Sequence, residues 1–145
     1  MPNFEATAAR PPLVLLVDPI LASRHSMWRI LSRGFGVLEA QSASAARAWM
    51  ARRPDIDALV VEDDLPDERG LDFVRGLVNA RHPIAARAIV LAKPNAAALA
   101  TMPLGATLLE RGDLRGLLSK LATWILTHDA MLARSLLREA ERFRS

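Results

Sequence analysis

Three acidic residues and one arginine follow short apolar runs of this sequence, at positions from which they could act together. They are Asp18, Glu62, Asp64 and Arg111, which follow the runs 13–17, 58–61 and 106–109. A hard divalent cation prefers oxygen ligands, so carboxylates held together can bind one. A guanidinium can instead bind a carboxylate through two parallel hydrogen bonds. The sequence thus suggests a weak divalent-cation site at Asp18, Glu62 and Asp64, or a Glu62–Arg111 ion pair.

The elements that must position these residues alternate between apolar runs and helical patterns. The apolar runs show no alternation with polar residues, which is typical of strands covered on both faces. The predicted strands are 13–17, 37–40, 57–62, 88–92 and 106–109, and the predicted helices are 20–33, 43–53, 71–81, 95–103 and 114–125. Strands joined by helical crossovers run parallel. The sequence therefore predicts an α/β fold with a doubly wound, five-stranded parallel sheet, so that the strand ends and their polar residues share one edge.

Several helix ends can be predicted from their capping residues. Ser42 and Asp113 are expected to accept backbone N–H groups at the starts of two helices. Gly34 stands where a helix C-terminus often has a residue with positive φ. In the first helix, apolar residues recur at helical spacing, and they are Ile20, Met27, Ile30 and Leu31.

Length and composition limit the class of protein. The chain has 145 residues, of which 51% are hydrophobic and 24% charged, as expected for one globular domain. It contains no cysteine, which excludes disulfides and thiolate zinc sites. No apolar stretch is longer than five residues; that at 13–17 is too short to cross a bilayer and precedes no cleavage-site pattern. We therefore expect a soluble, cytoplasmic protein that does not contact a membrane.

Other functional classes have little support in the sequence. The formal net charge is +3, and the arginines are scattered among acidic residues, so we expect no nucleic-acid partner. His25, His82 and His128 lie on different predicted elements without metal-ligand spacing, and no glycine-rich phosphate loop occurs. We expect a protein that is not an enzyme, with no catalytic residues, no bound metal and no cofactor.

The segment 57–70 carries a resemblance to a known family. Its residues, Asp-Ala-Leu-Val-Val-Glu-Asp-Asp-Leu-Pro-Asp-Glu-Arg-Gly, resemble the phosphorylation-site loop of bacterial response regulators, with Pro66 and Gly70 at the expected spacing. Leu104-Gly105-Ala106 resembles the Ala-Gly-Ala turn before the fifth strand of that family. Over residues 13–126 the chain is similar to a receiver domain with the flavodoxin-like (CheY-like) fold. The resemblance implies two-component signal transduction, with a histidine kinase or a downstream signalling protein as partner.

Several positions that carry the family's chemistry differ in this chain. Glu62 occupies the position of the family's phosphoacceptor aspartate, and Arg111 occupies the position of a lysine. Where the family has a pair of acidic residues, this chain has Asp18 followed by Pro19. Ala92 replaces the hydroxyl residue that follows the phosphoryl group. The Glu62 carboxylate would lie about 1.5 Å further out than that of aspartate, and such a misplacement can slow a reaction about 100-fold. We therefore expect a pseudo-receiver that acts as a phosphorylation-independent protein-interaction module.

Alternatives to this interpretation stay open. Glu62 or Asp64 could be a working phosphoacceptor in a phosphorelay, with an unusual metal site. The chain could also be a purely structural dimerisation or scaffold protein, with Glu62 as a solvated acid without a role. A Glu62–Arg111 pair would instead imitate the charge of a receiver that is already switched. Asp63 should point away from Glu62, because side chains alternate along a strand.

The chain is expected to divide into a flexible leader (1–12), a receiver-like domain (13–127) and a C-terminal helical extension (128–145). Apolar residues recur at helical spacing in the extension, and Arg134, Arg138 and Arg142 form a basic face. Such a helix either folds back on its own domain or packs on a second copy. We expect a homodimer, formed through the last helices or through the fourth and fifth strand–helix units.

Overall fold

A computed structural model describes residues 11–93, 106–125 and 137–143 of the chain. Within these residues, five parallel strands form one sheet in the order β2–β1–β3–β4–β5. The strands are β1 (Leu13–Val17), β2 (Gly36–Ala40), β3 (Ala58–Glu62), β4 (Ala88–Ala92) and β5 (Thr107–Glu110). The helices are α1 (Leu21–Leu31), α2 (Ala43–Arg52), α3 (Gly70–Asn79) and α4 (Leu114–Ile125), and a 3-10 helix (Pro83–Arg87) precedes β4.

Helices cover both faces of the sheet. β1, β3 and β4 are buried along their whole length, which explains why their sequences show no polar alternation. One face packs against α2 and α3, through residues that include Ala46 and Phe73. The other face packs against α1 and α4, through residues that include Leu31 and Leu118. The predicted doubly wound α/β fold is confirmed.

The alternation of side chains along the strands decides on which face the acidic residues lie. Leu16 and Val60 point toward α1 and α4. Two residues later along the same strands, Asp18 and Glu62 continue in that direction. The strand geometry extends to Asp18, because its N–H donates to the Ala40 carbonyl at 2.9 Å. Both acids therefore belong to the α1–α4 side of the sheet edge.

The start of α1 differs from the prediction. Ile20 is expected inside the helix with the apolar stripe, but it precedes the helix as its N-cap residue and is 62% exposed. Its backbone N–H donates to Asp18 Oδ1 at 2.9 Å, so this residue belongs to the turn that leaves β1. The rest of the stripe faces the sheet, with Leu31 buried and Met27 and Ile30 partly buried against the same core.

The end of α1 also differs from the prediction. Gly34 does not have a positive φ; among the described glycines that conformation occurs at Gly112, with φ 93°. The helix closes through Ser32 in a right-handed conformation, and the N–H groups of Gly34 and Phe35 both donate to the Leu31 carbonyl. These turns satisfy the hydrogen-bonding capacity of the Leu31 carbonyl, so the helix ends without a residue in the left-handed conformation.

The start of α2 is capped by two side chains, only one of which was predicted. Ser42 Oγ accepts the N–H of Ala45 at 3.1 Å, as expected. Asp67, from the loop after β3, accepts the N–H groups of Ser44 and Ala43 at 2.9 and 3.0 Å. These backbone hydrogen bonds, first that of Ser44 and then that of Ala43, hold the pKa of Asp67 below its ordinary value. At α4 the predicted cap is also present, since Asp113 Oδ1 accepts the Gly116 N–H at 2.8 Å.

The described part of the C-terminal extension folds back on the domain. Residues 137–141 are helical, and Ala140 is 2% exposed within the core shared by α1 and α4. Glu139 forms an ion pair with Arg33, directly after α1. Arg115 of α4 lies 3.9 Å from Glu141.

Other predictions lie outside the described residues, including the leader before residue 11, the helix 95–103, the Leu104-Gly105 turn, His128 and Arg134. None of the helices in the described ranges is both long and apolar enough to span a membrane.

Candidate functional site

The strand ends bring Glu62 and Arg111 into direct contact. Arg111 Nε donates a hydrogen bond to Glu62 Oε2 at 2.8 Å. The backbone N–H of Arg111 donates to the Ala92 carbonyl at 2.9 Å, so the pairing of β4 with β5 continues one residue beyond β5 and holds Arg111 at the sheet edge. The structure thus forms the ion pair that the sequence suggested, with Ala92 as its backbone neighbour.

Glu62 is buried although it carries a carboxylate. It is 8% exposed at the end of β3. Burial raises the pKa of Glu62 above its ordinary value, and the nearby charges of Asp18 and Asp64 raise it further, whereas Arg111 lowers it. The net direction is upward, so the folded protein disfavours the ionised form of Glu62 and Arg111 offsets part of that cost.

Asp18 is even more buried, at 4% exposure, but both of its carboxylate oxygens have partners. Oδ1 accepts the Ile20 N–H at 2.9 Å, and Oδ2 accepts the Ser23 hydroxyl at 2.5 Å. The Asp18 carbonyl also accepts Arg24 Nη1 at 2.8 Å. Asp18 therefore anchors the start of α1 in addition to lying near Glu62. Ser23, five residues after an acid at a strand end, is a partner that the sequence analysis missed.

The loop after β3 separates the roles of Asp63 and Asp64. The Asp63 side chain accepts the N–H of Leu71 at 3.0 Å and Arg69 Nη2 at 2.6 Å, so it caps α3 and points away from Glu62, as expected. Asp64 is exposed and lines the same cavity as Glu62. Of the two neighbouring aspartates, only Asp64 faces the candidate site.

A cavity of about 380 Å³ lies between α1, the sheet edge and the start of α4. Its polar lining includes Asp18, Glu62, Asp64 and Arg111, the four charged residues that the sequence predicts beyond the strand ends. The structure therefore gathers all the predicted charged residues around one cavity. Ala92 is buried at the end of β4 and, like Pro19, offers no side-chain oxygen.

The residues present do not fit a tightly held Mg²⁺ ion. This ion demands near-octahedral oxygen ligation. Both oxygens of Asp18 already accept hydrogen bonds, and Pro19 takes the place of a second acid. Across the described residues, no three His, Cys, Asp or Glu side chains are grouped as a metal site. Weak divalent-cation binding stays a prediction.

No protein-family model matches the chain. A curated relative from Anaeromyxobacter dehalogenans, protein-glutamate methylesterase/protein-glutamine glutaminase 5, is 34% identical over 86 residues. The matched region covers 58% of this chain and 24% of the relative, so the chain spans about a quarter of that protein's length.

Several solved structures share the fold. A response regulator receiver protein from Pseudomonas putida has a TM-score of 0.64 and 25% identity, with 79% of this chain and 98% of that chain covered. For the CheX–CheY complex from Borrelia burgdorferi, the TM-score is 0.61 and the sequence identity 19%. The match covers 84% of this chain and 92% of that chain. For the complex of Ypd1 with the receiver domain of Ssk1 from Saccharomyces cerevisiae, the TM-score is 0.63 and the sequence identity 15%. The match covers 79% of this chain and 89% of that chain. Strand order, helical layers and these similarities agree that the chain has the fold of response regulator receiver (CheY-like) domains.

Proposed function

We propose that this receiver domain acts in two-component signalling as a phosphorylation-independent protein-interaction module. The observation that carries the proposal is the 2.8 Å contact between Arg111 Nε and the buried carboxylate of Glu62. This pair places a carboxyl group and a permanent cation where a receiver would hold its phosphorylated aspartate and lysine. Such a module needs no catalytic activity of its own.

The surroundings of the pair argue against efficient phosphoryl transfer. An attacking carboxylate needs positive charge that neutralises the transferred phosphoryl group, and Mg²⁺ usually supplies it. Each Asp18 oxygen already accepts one hydrogen bond, and Pro19 has no side-chain oxygen that could act as a ligand. Ala92 has no hydroxyl that could bind a phosphoryl group. The site therefore lacks two of the groups on which that chemistry depends, namely a second acid after β1 and a hydroxyl at the end of β4.

Protein partners are supported by two of the structural relatives. The relative from Borrelia burgdorferi is a CheY bound to CheX, and the yeast receiver domain is bound to the phosphotransfer protein Ypd1. For this chain we propose a histidine kinase, a phosphotransfer protein or a downstream signalling protein as partner. A homodimer is part of the same proposal, since Leu137 and Phe143 stay exposed after the C-terminal segment folds back.

A working phosphoacceptor is the second candidate function. Asp64 favours it, because this side chain is exposed and lines the cavity beside Glu62. A purely structural scaffold is the third candidate, in which the Glu62–Arg111 pair has no effect on any partner.

Incubation with acetyl phosphate and MgCl₂, followed by intact-mass measurement and light scattering, separates these candidates. We expect no phosphoryl mass increment and no change of oligomeric state, while a receiver domain with an aspartate acceptor gains the increment in parallel. An increment would overturn the proposal, and its loss in Glu62→Gln or in Asp64→Asn would identify the acceptor. If Glu62→Gln alters neither the oligomeric state nor the affinity for a partner, the hypothesis that the Glu62–Arg111 pair imitates a switched receiver is wrong, and the structural scaffold is the remaining candidate function.

A further inference from the structure

The cavity beside the Glu62–Arg111 pair is also lined by apolar side chains, some of which precede the acidic residues along the same strands; we call this part of the lining the apolar slot. The sheet forms its floor, while α1 and the start of α4 form its walls. The apolar lining residues are Leu16, Val60, Leu91, Met27, Ile30 and Leu114. A cavity of about 380 Å³ lies within the usual size range of small-molecule sites. Its lining therefore combines a charged part with an apolar part.

The charged part of the lining has an excess of negative charge. Asp18, Glu62 and Asp64 line the cavity, and Arg111 is the cation that faces them. Arg111 binds Oε2 of Glu62, and no described residue donates a hydrogen bond to its Oε1. Because Glu62 is largely buried, a donor for Oε1 has to come from within the cavity. A cationic donor would serve this oxygen better than water, because hydrogen bonds to charged partners are stronger.

We propose that this cavity binds a small alkylammonium ion, with the ammonium group at Glu62 and Asp64 and the alkyl chain in the apolar slot. The proposal rests on the proposed function in one respect, namely that the site does not hold a phosphoryl group. An ammonium group has three donors, which suit two carboxylates. The alkyl chain gains free energy when the slot removes it from water. A hard divalent cation would find no ligands along the apolar walls.

Methionine-methyl NMR on the full chain tests the proposal, because two methionines lie on opposite faces of the sheet. Met27 lines the cavity, whereas Met50 of α2 packs on the other face. Pentylammonium chloride at neutral pH is the probe, since an alkylamine, like the lysine side chain, is protonated below a pKa of about 10.4. We expect a saturable shift of the Met27 methyl resonance and no shift of Met50.

Matched ligands separate the charge from the chain. Pentanol has the chain without the charge, ethylammonium has the charge with too short a chain, and each should bind at least about tenfold more weakly than pentylammonium. Nα-acetyl-lysine N-methylamide presents the amine as a lysine within a peptide. If it binds, the site is open to a lysine of a protein partner; if only pentylammonium binds, the ligand is a free amine. Equal affinity for pentanol and pentylammonium would overturn the proposal, and so would a Met27 shift with MgCl₂ alone.

Two variants locate the site. Glu62→Gln and, at an exposed position, Asp64→Asn should each weaken pentylammonium binding several-fold, whereas Asp72→Asn on α3 should leave it unchanged. Equal affinity in all three variants would contradict the proposal. The outcome is independent of the acetyl phosphate experiment: a missing Met27 shift without phosphorylation rejects the amine site alone, and a phosphoryl mass increment rejects the proposed function alone.

Discussion

Gly70 lies against the backbone of Glu62. A Cβ atom at residue 70 would lie 2.3 Å from the Glu62 carbonyl oxygen and 2.9 Å from the Cα of Asp63. Both are backbone atoms, which cannot move aside as a side chain can. The first residue of α3 must therefore be glycine for the helix to start this close to β3. The backbone that positions the Glu62 carboxylate is thus in contact with the start of α3.

Replacement of Gly70 by alanine should destabilise the fold. The added methyl group forces a shift of the β3 end or of α3, and overpacking of this kind costs about 1–3 kcal/mol. Gly76→Ala on the same helix is the matched control, because a Cβ there meets no atom within 4 Å. That control should stabilise the protein by about 0.5–1 kcal/mol. Urea unfolding measures both, and equal effects of the two substitutions would contradict the close approach.

Glu62→Gln should stabilise the protein at neutral pH. The raised pKa of Glu62 means that its contribution to stability is present at low pH and is lost as the pH rises through the pKa of the folded state. Glutamine avoids the ionisation and still offers an oxygen to Arg111. The difference between variant and wild type should disappear below about pH 4, where the unfolded chain also protonates this group.

Urea unfolding at pH 7 and at pH 3.5 measures this difference, with the exposed Glu110→Gln as control. If Glu62→Gln is instead less stable than wild type at pH 7, the Arg111 ion pair outweighs the cost of burial.

Asp67→Asn should destabilise the protein at neutral pH, with the effect fading in acid. Because the pKa of Asp67 is lowered, its contribution is present above the ordinary pKa of an aspartate and is lost as the pH falls through the pKa of the folded state. Asparagine has only one oxygen for the two N–H groups of Ala43 and Ser44. Ser42→Ala removes the neighbouring cap and should lower the free energy of unfolding by about 1 kcal/mol at neutral and at acidic pH alike, because a hydroxyl does not titrate in this range. A pH-independent loss in Asp67→Asn would contradict the capping role of its charge.

Ala140→Leu should destabilise the fold by about 1–3 kcal/mol, because the site of Ala140 is filled by α1 and α4. Arg138→Leu, at an exposed position of the same turn, should change stability by less than about 0.5 kcal/mol. Thermal unfolding at several protein concentrations measures both. A concentration-dependent midpoint that Ala140→Leu abolishes would show that this segment packs on a second copy instead of its own domain.

Most of the fold could be predicted because the buried strands leave a simple pattern. β1, β3 and β4 contribute uninterrupted apolar residues, and the end of β3 coincides with Glu62 as expected. The wrong predictions concern turns, where backbone hydrogen bonds decide. Ile20 fits the helical spacing of α1, but the Asp18 carboxylate takes its N–H and keeps it outside the helix.

The members of the site and its Glu62–Arg111 ion pair could be predicted from the sequence, but the hydrogen-bond partners of Asp18 could not. Parallel strands place their carboxyl ends at one edge, so Asp18, Glu62 and Arg111 had to be neighbours. Sequence spacing could not show that the Ser23 hydroxyl donates a hydrogen bond to Asp18, since that contact depends on the direction in which α1 leaves β1. The same holds for Asp67, whose partners on α2 lie more than twenty residues earlier in the chain.

The cap that Asp67 provides has a consequence for the order of folding. α2 has no acidic residue in its own first turn and takes its negative charge from a loop that follows β3. An isolated peptide with the α2 sequence would lack this cap, and a helix of ten residues is marginal in water. The first turn of α2 therefore becomes fully stable only after β3 has joined the sheet, and its amide protons should exchange together with those of the Asp67 loop.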